Sequence, residues 1–195
     1  MREAVDFKIV EEPKRPMAMN PKKFGMWLFM ASVLMLFISL TSAYIVRQAE
    51  GNWLIFDLPT IFIISTGIIV ASSLTMQVAF WAAKKNDLER VKLMVVLTTI
   101  LGLLFVVTQY LGWQDLVARS VYLVGNPSGS FLYIITGLHA LHLLSAVVFL
   151  LFVLYASFRN KVNSKNTVQI EICTTYWHFL GLLWVYLYVF LTLLR

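Results

Sequence analysis

Cysteine and buried acidic residues are both scarce in this chain. The single cysteine, Cys173, excludes an intramolecular disulfide and any all-cysteine metal site within the chain. No Asp or Glu lies well inside the long apolar runs, which disfavours a di-metal carboxylate centre and an ion-coupled pump with its own carboxylate relay. Only 13% of the residues are charged, against about a quarter in an ordinary soluble domain. The composition therefore excludes an ordinary soluble fold.

Long apolar runs fill the sequence instead. Hydrophobic residues make up 59% of the chain, and the mean hydropathy is +0.77. A helix needs about 20 mostly apolar residues to cross the hydrocarbon core of a bilayer, and five runs qualify: 24–46, 58–83, 92–112, 131–158 and 171–194. The sequence therefore predicts an all-α integral membrane bundle of five transmembrane helices over residues 23–195. Residues 1–22 are predicted to form a polar N-terminal arm that lacks the features of a cleaved signal peptide.

Lysine and arginine flank these runs asymmetrically. Thirteen of them lie within residues 2–23, 84–92 and 159–165, whereas only Arg47, Arg119 and Arg195 fall on the other side. The positive-inside rule then predicts that the N-terminus is inside and the C-terminus outside. The net charge of +6 is a topology signal and not a nucleic-acid surface, because the basic residues border apolar segments.

All three histidines lie inside apolar runs. His139 and His142 are three residues apart in the fourth span and share a helix face, and His178 lies in the fifth span. A rise of 1.5 Å per residue puts His142 and His178 near the bilayer centre, where they are expected to face each other. Three interpretations stay open: a hydrogen bond that fixes helix packing, axial ligation of a haem by this pair, and a role in a proton path.

A second polar group lies at the outer end of the third span. Gln109 and Trp113 are four residues apart, Asp115 follows them, and Trp113 is interpreted as an interfacial anchor. Trp177 and Trp184 lie deeper and are expected at helix contacts. In the second span small residues recur every four positions and predict close helix packing: Gly67, Ala71, Thr75 and Ala79.

Five short elements occur in order along residues 22–194. They are Phe24-Gly25-Met26-Trp27, the stretch Thr66–Ala79 with Ser72-Ser73-x-Thr75, Gln109-x-x-Gly112-Trp113-x-Asp115, Gly137-x-His139-x-x-His142, and Tyr176-Trp177-His178-Phe179 followed by Trp184. Taken together, these elements resemble subunit III of the haem–copper terminal oxidases, in the five-span form of that family. The topology of that family agrees with the orientation that the charges predict.

The chain departs from the family pattern at four positions. Val33 stands where the family often has a glutamate linked to proton uptake, Gly112 replaces a usual glutamate, and Gly181 replaces an aspartate. Ala140 replaces a glycine. Because the three carboxylates are missing, the resemblance does not extend to a proton relay through them.

The resemblance implies a non-redox accessory subunit of a cytochrome c oxidase type complex that reduces oxygen to water in aerobic respiration. Such a subunit packs on the proton-pumping subunit I, stabilises it and holds phospholipids. Haem and copper belong to partner subunits, and further contacts are expected with subunit II and with a subunit IV or a respiratory supercomplex. The expected location is the bacterial plasma (inner) membrane, with no nucleic-acid partner.

Three other functions remain as alternatives. The first is subunit III of a quinol oxidase, since the electron donor is decided in other subunits. The second is an independent membrane b-type cytochrome with His142 and His178 as haem ligands. The third, a small transporter, is disfavoured by the lack of intramembrane charge.

No residue of this chain is assigned to catalysis, to a metal or to a cofactor. Eight residues are instead candidates for structural, lipid or subunit contacts: Gln109, Trp113, Asp115, His139, His142, Trp177, His178 and Trp184.

Overall fold

Five long helices account for most of the chain. The computed structural model describes residues 20–159, 162 and 167–194, so most of the predicted N-terminal arm, residues 1–19, lies outside the described residues. The helices are α1 (Pro21–Ala49), α2 (Ile61–Lys84), α3 (Leu88–Ala118), α4 (Pro127–Phe158) and α5 (Val168–Leu193). Each is long and apolar enough to cross a membrane. The predicted all-α bundle of five spans is confirmed.

Polar caps, and not the edges of the apolar runs, decide where three helices begin. Asn20 and Asn126 precede the prolines that open α1 and α4, and each side-chain oxygen accepts a hydrogen bond from a backbone N–H two residues later, at 3.0 and 2.9 Å. The Asp87 carboxylate caps α3 in the same way, 3.2 Å from the backbone N–H of Arg90. A side-chain cap favours helix initiation, and proline at the first helical position adds to it in α1 and α4. These three helices therefore begin earlier than the apolar runs predicted.

Side-chain contacts between helices define an up-and-down order. Thr75 of α2 meets Thr98 of α3 at one level, and Ser65 meets Gln109 at another, so these two helices run antiparallel. Similar contacts join α3 to α4, α4 to α5, and α5 back to α2. Helices α2, α3, α4 and α5 therefore form a closed ring.

Helix α1 lies outside this ring, on the seam between α4 and α5. At one end the Lys23 ammonium is 2.6 Å from the Glu171 carboxylate. At the other end the Tyr44 hydroxyl and the Gln48 amide both donate to the Leu194 carbonyl, at 3.1 and 2.8 Å. These contacts place α1 parallel to α5 and tie it at both ends.

The small residues of α2 divide between two surfaces. Thr75 and Ala79 face the interior, as predicted, but Gly67 and Ala71 are exposed, and a Cβ added at Gly67 would have no atom of the chain within 4 Å. Of the four small residues, only Thr75 and Ala79 therefore show the predicted close packing within this chain. Closer approaches occur at two glycines of α3: Gly102 lies against the Trp177 ring, and Gly112 lies against Phe62.

Candidate functional site: polar contacts between the helices

His139 lies at the centre of the bundle. Its side chain is fully buried, and its Nε2 is 3.1 Å from the Leu180 carbonyl of α5. A carbonyl only accepts, so Nε2 carries the proton. Rings from three other helices surround the imidazole, with centroid distances of 6.5 Å to Phe37, 6.1 Å to Phe105 and 5.1 Å to Trp184. His139 therefore joins α4 to α1, α3 and α5.

His142 faces α1. Its Nδ1 is 2.7 Å from the Leu138 carbonyl of its own helix, one turn earlier. Its ring packs against two aromatic rings of α1, with centroid distances of 6.4 Å to Phe29 and 5.9 Å to Phe37. The Nδ1 atom is thus bonded within α4, and the faces of the ring serve the α1–α4 contact.

His178 faces α2 instead. Its Nε2 is 2.9 Å from the Gln77 side-chain oxygen. The residue of α5 that meets the His142 turn is Tyr176, whose hydroxyl lies 3.2 Å from the His142 carbonyl and 2.8 Å from the Ser145 hydroxyl. Two residues along a helix correspond to a rotation of about 200°, so His178 points away from α4. The expectation that His142 and His178 face each other is wrong, and the structure does not bring them together as an axial pair.

Two buried tryptophans of α5 bind hydroxyl groups of α2. The Trp177 indole N–H donates to the Ser72 hydroxyl, and the Trp184 N–H donates to the Thr66 hydroxyl, each at 3.0 Å. Both hydroxyls also donate to carbonyls of their own helix, Ser72 at 2.8 Å and Thr66 at 2.7 Å. Each hydroxyl therefore donates within α2 and accepts from α5, which holds the two helices in one register.

The three candidate residues at the end of α3 make different contacts. The Gln109 amide donates to the Ser65 hydroxyl of α2 at 2.9 Å, whereas the Trp113 indole donates to Thr136 of α4 at 3.1 Å. Trp113 is therefore a half-buried residue that contacts α4, and its role as an interfacial anchor stays a prediction. Asp115 pairs at 2.9 Å with Arg119, which directly follows α3, and among the described residues it bonds no other helix.

The partners of these residues were the part that sequence reasoning missed. Thr66, Thr136 and Gln77 each form a hydrogen bond with a candidate residue, and the sequence did not predict any of them as a partner. The available signal was the presence of hydroxyl and amide side chains inside apolar runs. Such side chains hydrogen-bond across membrane helices, but their number alone does not say which one meets which.

The polar side chains of this site connect helices to one another. Among the described residues, no group of three or more His, Cys, Asp and Glu side chains could hold a metal ion. Indole, imidazole and amide groups point between helices and bind hydroxyls or carbonyls there. The fold and these contacts define a multi-pass membrane protein whose intramembrane polar residues hold one helix arrangement.

Comparison with known proteins identifies the family. The chain belongs to the cytochrome c oxidase subunit III family, whose model matches residues 13–194, so the resemblance seen in the motifs is confirmed. Members of this family are accessory subunits of haem–copper oxidases.

Individual relatives match nearly the whole chain. It is 29% identical to a probable cytochrome c oxidase subunit 3 of Nocardia farcinica, over 90% of this chain and 89% of that protein. It is 28% identical to cytochrome c oxidase subunit 3 of Corynebacterium diphtheriae, over 97% of both chains. A probable quinol oxidase subunit 3 of Staphylococcus saprophyticus is 25% identical, over 87% of both chains.

The motif resemblance places Val33, Gly112 and Gly181 at positions where the family has carboxylates, and the surroundings of these positions fit the residues that are present. Val33 is buried within the bundle. A Cβ at Gly112 would lie 2.6 Å from the Phe62 ring, and a Cβ at Gly181 would lie 3.0 Å from the Ser73 hydroxyl. A carboxylate side chain at either glycine would require these neighbours to move.

Proposed function

We propose that this chain is a non-redox accessory subunit that packs on the catalytic, proton-pumping subunit I of an oxygen-reducing haem–copper oxidase and stabilises it. The observation that carries the proposal is the set of side-chain hydrogen bonds between helices, with Trp177, Trp184 and His139 at its centre. These bonds use polar groups to specify one packing, which is what a scaffold for another membrane subunit requires.

Many modest contacts share this scaffolding role. An intramembrane hydrogen bond between side chains contributes about 0.6 kcal/mol on average, so no single one determines whether the bundle forms. Several bonds along α5 together hold one register against α2 and α4. A rigid partner surface then limits the conformations available to the neighbouring catalytic subunit.

The orientation in the membrane follows from charge. Among the described residues the basic end of the bundle carries Lys22, Lys23, Lys84, Lys85, Arg90, Lys92 and Arg159. The opposite end carries Arg47 and Arg119, each paired with a carboxylate of its own segment. The positive-inside rule supports a cytoplasmic N-terminus and an external C-terminus in a bacterial plasma membrane.

Bound phospholipid is the second part of the proposal. An apolar groove of about 260 Å³ lies between α3 and α4, and Val106, Tyr110, Leu141 and Leu144 are among the residues that line it. A lipid acyl chain fits an apolar surface of this kind at membrane depth. A lipid bound in this groove would cover the outer surface of α3 and α4 and would make no specific polar contact.

Cytochrome c is the proposed electron donor of the complex, with a quinol as the alternative. The relatives carry both names: cytochrome c oxidase in Nocardia farcinica and Corynebacterium diphtheriae, and quinol oxidase in Staphylococcus saprophyticus. Subunit II is a further proposed contact, together with a subunit IV or a respiratory supercomplex.

An independent b-type cytochrome is the function that the geometry disfavours. His142 bonds its own helix and packs on α1, whereas His178 bonds Gln77 of α2. Axial ligation of one haem would require both imidazoles to leave these partners and to turn toward a common point.

The test is purification of the tagged chain from its native membranes, with an absorption spectrum and identification of the co-purifying polypeptides. The expected result is co-purification of a haem–copper catalytic subunit. The control is the same chain expressed alone with haem supplied, for which no haem band is expected. A stoichiometric b-type band in the isolated chain would overturn the proposal.

A further inference from the structure

The groove between α2 and α5 differs from the other grooves of the bundle. It has a volume of about 330 Å³, and the residues that line it include Ser73, Leu74 and Gln77 of α2 and His178, Gly181 and Leu182 of α5. Three of these residues are polar, and they come from both helices: Ser73 and Gln77 are one turn apart on α2, and His178 faces them from α5. Exposed leucines, Leu74 and Leu182, border the polar groups.

These three side chains keep hydrogen-bonding capacity that the described part of the chain does not use. The single bond from His178 Nε2 to the Gln77 side-chain oxygen leaves the Gln77 amide N–H groups and His178 Nδ1 without a partner among the described residues. The Ser73 hydroxyl also makes no hydrogen bond within the described part of the chain. Its helix neighbours Ser72 and Thr75, by contrast, both donate to backbone carbonyls of α2.

The groove lies at membrane depth. Ser73 is near the middle of α2, and His178 lies ten residues into α5, or about 15 Å from its start. A hydrocarbon core is about 30 Å thick, so neither water nor lipid headgroups reach this level. Polar groups that face lipid tails without a partner are costly, and polar or ionisable residues in membrane spans almost always face protein or a water-filled cavity.

Three other grooves of the described bundle lack this combination. In the groove between α3 and α4, the Gln109 side-chain oxygen also lacks a partner, but Gln109 is only 3% exposed, so this oxygen is not open to a docked helix. The Gln109 amide N–H bonds Ser65 of α2, away from this groove. In the groove between α1 and α5, the Tyr186 hydroxyl already bonds Thr41. The groove beside the end of α1 contains Arg47 and Glu50, which pair with each other where headgroups and water are available.

We propose that the α2–α5 groove is the docking site for a membrane-spanning helix of the haem-bearing oxidase subunit, and that this helix inserts a hydroxyl or carboxamide side chain between Ser73, Gln77 and His178. The inference rests on the proposed function, which supplies the partner. A hydroxyl or carboxamide both donates and accepts, so it matches the free Gln77 N–H groups and the free His178 Nδ1. Gly181 has no side chain to fill the groove, and small residues let membrane helices approach closely.

Site-specific photo-cross-linking in the assembled complex tests the site. A photoreactive phenylalanine analogue replaces Leu74, at the edge of the α2–α5 groove, and in a matched variant it replaces Leu141, at the edge of the α3–α4 groove. The two leucines are similarly exposed, at 66% and 61%. The expected result is a cross-link from position 74, but not from position 141, to the haem-bearing subunit.

The outcomes separate this inference from the proposed function. If the wild-type chain co-purifies with a haem-bearing subunit but position 74 labels only lipid, the docking site is wrong and the proposed function stands. Cross-links to that subunit from both positions, or from position 141 alone, also overturn the assignment to one groove. If no haem-bearing subunit co-purifies with the wild-type chain, the proposed function itself fails.

A second measurement compares two serine-to-alanine variants that leave every contact between helices of the described chain intact. Ser73→Ala removes a hydroxyl that makes no hydrogen bond among the described residues. Ser39→Ala is its control, since the exposed Ser39 hydroxyl donates to the Met35 carbonyl of its own helix and bonds no other helix of the described chain. Ser73→Ala is expected to weaken retention of this subunit in detergent about threefold, the effect of one average intramembrane hydrogen bond. Equal retention of the two variants would contradict a hydrogen bond from the partner to Ser73.

Discussion

The Trp177 indole donates a hydrogen bond to the Ser72 hydroxyl at 3.0 Å, and the same ring lies against Gly102 of α3. One side chain of α5 therefore contacts two other helices, through its N–H on one side and its ring on the other. A Cβ added at Gly102 would lie 2.6 Å from this ring, which is closer than packed carbon atoms approach.

Gly102→Ala is expected to destabilise the bundle. The added methyl group must displace the buried Trp177 ring or separate α3 from α5, and overpacking of this kind costs about 1–3 kcal/mol. The measurement is the melting temperature of the purified complex or chain in detergent. Gly137→Ala is the matched control, because a Cβ there has no atom of the chain within 4 Å. Alanine favours a helix by up to about 1 kcal/mol over glycine, so the control should be neutral or stabilising, and equal losses in both would contradict the prediction.

His139→Ala is expected to lower stability without changing haem content. The substitution leaves a cavity between the rings of Phe37, Phe105 and Trp184 and removes the bond to the Leu180 carbonyl. Large-to-alanine changes at buried sites cost about 2–5 kcal/mol. Unfolding in detergent titrated with a denaturing surfactant measures the loss, and the pyridine haemochrome spectrum of the complex measures haem per catalytic subunit.

His178→Ala serves as the companion to that variant. It removes the bond to Gln77 but leaves the fully buried centre of the bundle unchanged, so a smaller loss of stability is expected, with weaker retention of the subunit in the complex. A fall of haem per catalytic subunit in either histidine variant would show that the imidazoles serve the cofactor.

Tyr44→Phe and Gln48→Leu are expected to be non-additive. Both wild-type side chains donate to the Leu194 carbonyl, at 3.1 and 2.8 Å, so either one alone keeps that carbonyl bonded. Each single variant should cost well under about 1 kcal/mol, and the double variant should cost more than the sum, since groups that share a partner are coupled. A double-mutant cycle of unfolding free energies in detergent checks this, and strictly additive values would mean that the two bonds act independently.

Dicyclohexylcarbodiimide is expected to leave the membrane part of α1 unlabelled. Val33, which is 3% exposed, has no carboxyl group to react. Peptide mapping by mass spectrometry after treatment of the complex provides the measurement. Leu34→Glu, at an exposed position of the same helix, is the positive control for access of the reagent. Residues 24–46 contain no Asp or Glu, so labelling there in the wild-type complex would contradict the prediction and would mean that the reagent modifies a group other than a carboxylate.

The helix ends and the polar contacts differed in how far they could be predicted. The five spans were predicted because crossing the bilayer demands a long apolar run, whatever the neighbours do. Their starts at Pro21, Leu88 and Pro127 were missed by a few residues because the capping residues Asn20, Asp87 and Asn126 lie outside the apolar runs. The capping pattern of Asn followed by Pro was present in the sequence and would have located two of these starts.

The hydrogen-bond partners of the histidines, unlike the spans, could not be predicted from the sequence. The depth of the histidines near the middle of the spans was predictable from the rise per residue, but the direction in which each imidazole points was not. His178 turned out to face α2, although His142 of α4 was the expected neighbour. A direction around a helix axis changes by about 100° per residue, so the partner depends on how each helix is rotated in the bundle.

By itself, the sequence determined the number of spans, the asymmetry of charge at their ends, the family, and the presence of polar side chains at membrane depth. Only the tertiary structure decided that Trp177 and Trp184 bind α2, that Trp113 binds α4 and that α1 lies outside the ring of four. The physical reason is that lipid tails are as apolar as the protein interior. Hydrophobic periodicity therefore does not mark the inward face of a membrane helix, and the partner of each polar group is settled only when the helices pack.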